Sequence, residues 1–85
     1  MINIELLENG MILFDTGNNV FQTKLEHIKS INVFPPEPKG CNPTTEWKLY
    51  VHGEGYIVFE ADTREEIYTI LSTINRVLDR AARTD

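Results

Sequence analysis

Residues 46–61 read Glu46-Trp47-Lys48-Leu49-Tyr50-Val51-His52-Gly53-Glu54-Gly55-Tyr56-Ile57-Val58-Phe59-Glu60-Ala61. Two arms that alternate with a period of two flank Gly53-Glu54-Gly55, the pattern of a β hairpin. The loop length decides which faces match, because a slip of one residue turns every side chain to the other face. A two-residue loop would set Trp47 against Glu60, a poor pair. A three-residue loop sets Trp47 against Ala61, Leu49 against Phe59 and Val51 against Ile57 on one face. The other face then pairs Lys48 with Glu60, Tyr50 with Val58 and His52 with Tyr56. This second register is the expected one. It asks for a type I turn closed by Gly55 in the left-handed region, which glycine enters without steric cost.

A helix over Thr63–Ala82 follows the hairpin at once. Ile67, Ile70, Leu71, Ile74, Val77, Leu78 and Ala81 recur at the spacing of one helical stripe. Asp62 or Thr63 can cap its start, each with a glutamate (Glu65 or Glu66) at capping-box distance. Acids fill the first turn, while Arg76, Arg80 and Arg83 fill the end, which suits the helix macrodipole. The stripe is expected to bury against the Trp47, Leu49, Val51, Ile57 and Phe59 face of the hairpin. The same stripe fits a heptad, so an assembly or regulatory subunit pairing through this helix is an alternative reading.

With 85 residues the chain makes one domain, residues 1–85. A domain of this size buries only about 60–65% of its unfolded surface, and homodimerisation is a common remedy. The net charge of −5 argues against a grip on nucleic-acid phosphates. The arginines gathered at the helix end lie where the helix dipole accounts for them. Cys41 is the single cysteine, so no internal disulfide forms, which fits a reducing, cytoplasmic setting. Glu5 and Glu8 stand where a signal peptide would be basic, and no run is long enough for membrane insertion.

Upstream, Ile2–Glu8 reads as a strand, Asn9-Gly10 as a hairpin turn and Met11–Phe14 as the returning strand. Asp15-Thr16-Gly17-Asn18-Asn19 is a second turn cluster, and Val20–Lys24 a short strand. Leu25 to Ile28 reads as a turn of helix or tight bend. The strand Ser30–Phe34 follows with Ile31 and Val33 inward, ended by Pro35 and Pro36. Pro35–Thr45 is the long irregular segment, and its Pro35-Pro36-Glu37-Pro38 start favours polyproline II. The fold class expected is α+β: a curved antiparallel sheet of four to five strands, with a partial barrel as the more curled form, and one long C-terminal helix packed on it.

Leu25, Ile28 and Ile31 leading into a strand, then the Trp47–Ala61 hairpin, then the Thr63–Ala82 helix form a pattern of elements that resembles the small bacterial pleckstrin-homology-like proteins. A full domain of that type usually has seven strands, more than are counted here. The resemblance implies a protein- or lipid-binding scaffold and no catalysis. Met11-Ile12-Leu13-Phe14-Asp15-Thr16-Gly17 resembles a different family, the retroviral-type aspartic proteases, in which two chains each supply one aspartate. That would make Asp15 half of a carboxylate dyad sharing one proton, with His52–Gly55 as a flap tip. Asn18 stands where that family places a small residue, and a long helix occupies the place of its second signature. The plainer reading makes Asp15, Gly17 and Asn18 turn formers.

His27 and His52 have no cysteine or carboxylate at zinc-ligand spacing, so no metal is expected, nor any cofactor. Cys41 reads as a spectator. The reading preferred from sequence is a non-catalytic interaction or ligand-binding module with a protein partner, its binding residues Tyr50, Tyr56 and Val58 on the outer hairpin face and Pro36 and Pro38 in the Pro35–Thr45 loop. The outer face is open to a partner only if the N-terminal hairpin does not fold over it.

Overall fold

A computed structural model describes residues 2–83. Strands β1 (Asn3–Leu6), β2 (Ile12–Asp15) and β3 (Val20–Thr23) form one antiparallel sheet in that order. The Asn9-Gly10 turn joins the first two. Leu7 N–H donates to the Met11 carbonyl at 2.8 Å and Gly10 N–H to the Leu7 carbonyl at 3.0 Å. Gly10 sits at φ 84°, the left-handed region a side chain resists. The Asp15–Asn19 cluster makes the next turn, closed by Thr16 N–H to the Asn19 carbonyl at 2.9 Å, with Gly17 at φ 94°. Cross-strand pairs Ile4–Phe14 and Leu6–Ile12 point to one face, and Ile4, Ile12 and Phe14 are buried there.

The second sheet takes β4 (Ser30–Phe34), β5 (Trp47–His52) and β6 (Tyr56–Ala61), again antiparallel in chain order. The β5–β6 register is the expected one at every pair, from Trp47–Ala61 to His52–Tyr56. The tip differs. Gly55 is not in the left-handed region; Gly53 N–H instead donates to the Gly55 carbonyl at 2.9 Å. The tip also meets a segment outside the hairpin. Gly53 is pressed against the preceding segment, where a Cβ would stand 2.5 Å from the His27 carbonyl oxygen.

The expectation of one sheet of four to five strands is corrected: the described residues form six strands in two sheets, which do not close into a barrel. The division falls at Lys24–Lys29. A 3-10 turn over Leu25–His27, held by His27 N–H to the Lys24 carbonyl and Ile28 N–H to the Leu25 carbonyl, redirects the chain. β4 therefore pairs with β5 and not with β3. The inner faces meet where the rings of Phe14 and Phe59, both fully buried, approach edge to face at 6.2 Å.

Helix α1 (Arg64–Arg83) closes the core. Of the two caps expected, Thr63 is the one used: its Oγ1 accepts the Glu66 N–H at 3.2 Å and lies 3.2 Å from Glu66 Oε1. Ile67, Ile74, Val77 and Ala81 are buried along the stripe. They lie against β5 and β6, as expected, and also against β1 and the 3-10 turn. One helix thus seals both sheets. At about 1.5–3 kcal/mol per fully buried large side chain, this contact dominates the folding energy. Among the described residues, no helix is long and apolar enough to cross a membrane.

Candidate functional site

Because α1 and the first sheet occupy the inner face of the second sheet, its outer face is left without a layer over it. Strand alternation decides what stands there. The register places Asn32 of β4 beside Tyr50 of β5 and Val58 of β6; one step along, Phe34 lies beside Lys48 and Glu60. At the other end stand Ser30, His52 and Tyr56. Tyr50 is the centre of an aromatic cluster. Phe34 meets it edge to face at 5.3 Å, His52 stacks on it at 5.9 Å with 16° between planes, and Tyr56 tilts toward it at 5.8 Å. Such pairs hold one another at about 0.5–1.5 kcal/mol each beyond burial. The rings nevertheless remain open to solvent: Phe34 is 49% and Tyr56 66% exposed.

The Pro35–Thr45 segment stands at one side of this cluster. Its base is clamped: Glu37 N–H donates to Thr44 Oγ1 at 2.9 Å, and Thr44 N–H donates to the Glu37 carbonyl at 2.8 Å. Residues 38–43 form a closed excursion beyond the clamp, with Gly40 at φ 143° and an exposed, unpaired Cys41. Between clamp and sheet runs a groove of about 360 Å³. Tyr50, Phe34 and His52 supply its aromatic lining, Pro35, Glu37 and Thr44 come from the segment, and Glu46 and Lys48 from the start of β5. Lys48 Nζ lies 3.9 Å from Glu60 Oε2 across the sheet. Among the described residues, neither the Glu37 nor the Glu46 carboxylate belongs to an ion pair.

The residues expected from sequence fall into three places. Tyr50 lines the groove. Tyr56 and Val58 share its sheet face on the β6 side. Pro36 is half-buried and Pro38 exposed in the segment, but Pro35 and Glu37, their neighbours, are the ones that reach the groove. Phe34 and Glu46 were not among the residues expected there, whereas the hairpin register already put His52 on this face and Glu37 lies within the Pro35–Thr45 loop. The alternation that sends Ile31 and Val33 inward also sends Phe34 outward, so that signal was present in the sequence; nothing local announces the two glutamates.

Asp15 sits in the β2–β3 turn, where its Oδ1 accepts the Gly17 N–H at 2.9 Å. Thr16 Oγ1 accepts the N–H groups of Asn18 and Asn19 at 3.4 and 3.2 Å. The Asp-Thr-Gly run thus closes its own turn. His27 Nδ1 lies 3.8 Å from Glu54 Oε1, joining the 3-10 turn to the hairpin tip. Among the described residues, no group of three or more His, Cys, Asp or Glu gathers closely enough to hold a metal ion.

Compared with known proteins, the chain matches no family model, no curated protein and no solved structure.

Proposed function

We propose that the protein is a non-catalytic interaction module that docks a protein partner on the outer face of its second sheet. The observation that carries this reading is the exposed aromatic cluster around Tyr50, set beside a groove whose wall is fixed by the Glu37–Thr44 clamp. Aromatic rings on a rigid surface make contact at little cost in side-chain entropy, which is why they are enriched where proteins bind one another. The resemblance of the element pattern to pleckstrin-homology-like proteins points the same way, toward a scaffold that presents surfaces. An exposed, unpaired Cys41 supports a reducing, cytoplasmic setting.

The experiment is a selection from a random peptide library displayed on phage, run on the wild-type chain and on Tyr50→Ser/Tyr56→Ser. Both side chains are on the outer face, so the variant should keep its circular dichroism spectrum. A peptide family enriched on the wild type and lost on the variant is the expected result. Equal enrichment on both chains would reject the face. The alternative that this face pairs with a second copy is read from light scattering of the same two proteins: a dimer lost in the variant would make the partner the chain itself.

A further inference from the structure

Resting on that docking reading, we propose that the groove takes the cationic side chain of an extended basic segment of the partner, an arginine in the first place. The lining has two kinds of wall. Tyr50 and Phe34 meet with 83° between their planes, so together they present aromatic surface in two directions. A cation within about 6 Å of a ring face is attracted by the ring's quadrupole, and guanidinium groups stack there best. Glu37 and Glu46 supply carboxylates on the same groove. Among the described residues neither is matched by a cation, and the groove's own lysine, Lys48, already faces Glu60. The lining therefore carries two carboxylates against one lysine, an excess of negative charge on a chain whose net charge is −5.

Size agrees. At about 360 Å³ the groove is at the lower end of ligand clefts, which run to roughly 300–1,000 Å³, and suits one or two side chains of a peptide. The carboxylates disfavour an anionic membrane surface as occupant. The chain also makes this contact within itself: the Arg64 guanidinium lies 4.9 Å over the Tyr68 ring on α1.

The test is an NMR titration of the ¹⁵N-labelled full chain with a blocked peptide of alternating glycine and arginine. The control peptide carries citrulline in place of arginine, which keeps the shape and removes the charge. Saturable shifts at Glu46, Lys48 and Tyr50 are expected with the arginine peptide and not with the citrulline one. Glu37→Gln/Glu46→Gln should weaken binding about tenfold, as loss of a partly desolvated charge partner does. Glu5→Gln/Glu8→Gln removes equal charge from β1 and the turn that follows it and should change it less than about twofold, since exposed charges far apart are screened. Equal binding of the citrulline peptide, or equal weakening by the two double variants, would overturn the proposal. If library-selected peptides without lysine or arginine shift Tyr50, the cation assignment fails and the docking face stands. If no selected peptide shifts Tyr50, both fail.

Discussion

Gly53 and Gly55 flank one glutamate, and only one of them is constrained by its surroundings. A Cβ on Gly53 would meet a backbone oxygen, that of His27, at 2.5 Å, whereas one on Gly55 meets nothing within 4 Å. A backbone atom cannot swing aside as a side-chain end can, so the 3-10 turn must move. Gly53→Ala should destabilise by about 1–3 kcal/mol, the usual penalty of overpacking. Gly55→Ala should stay within about 0.5 kcal/mol. Urea unfolding of the two variants checks this, and equal midpoints would contradict the assigned contact. The hairpin register was legible because it follows from pairing large side chains along two strands. The demand on Gly53 was not, because it comes from a residue outside the hairpin, His27, which no local pattern ties to it.

At the scale of elements, the helix was the most legible part. Its stripe, its acidic start and its basic end all lie in consecutive residues, and the structure had only to choose Thr63 over Asp62 as cap. Thr63→Ala should lower stability by about 1 kcal/mol, and thermal melts should show it, while Asp62→Ala should do less. The groove wall was less legible. Its clamp joins Glu37 to Thr44 across seven positions of an irregular segment. Turn-forming prolines say that such a segment bends, not which atoms meet. Thr44→Val removes the hydroxyl that accepts the Glu37 N–H. The expected outcome is a stability change of about 0.5–1.5 kcal/mol at most, with faster amide exchange at Glu37 and faster proteolysis within residues 38–43. Unchanged exchange at Glu37 would mean that the clamp does not hold the wall. Tyr50, Tyr56 and Val58 share a face by alternation alone, so that part of the candidate site could be read directly; Glu37 and Glu46 reach it only through the path of the segment.

For the whole molecule, the sequence supports an antiparallel sheet and a helix but not how many sheets. Strand order within each sheet follows chain order, yet the break between Thr23 and Ser30 depends on a 3-10 turn of only three residues, Leu25–His27. The turn itself was legible in the spacing of Leu25 and Ile28; that it turns β4 away from β3 was not, because strand partnership is set by residues far along the chain. The division has a consequence for assembly. Ile67, Ile74, Val77 and Ala81 of the α1 stripe are buried against the chain's own two sheets, with Ile70, Leu71 and Leu78 half-buried beside them. The mean residue ellipticity at 222 nm should therefore be independent of protein concentration, and a loss of helix on dilution would show that the stripe depends on a second molecule. The sheets themselves bear on time rather than on energy. Every ladder joins strands that follow one another in the chain. No strand has to wait for a strand beyond its neighbour in the chain, so each sheet can form by closing its own loops, of which the one over residues 35–46 is the longest. Chains with such local pairing fold faster than β-rich proteins whose strands pair across the sequence. The contacts that join distant parts of the chain are those the helix makes with both sheets, and it is there that the folding rate is expected to be set.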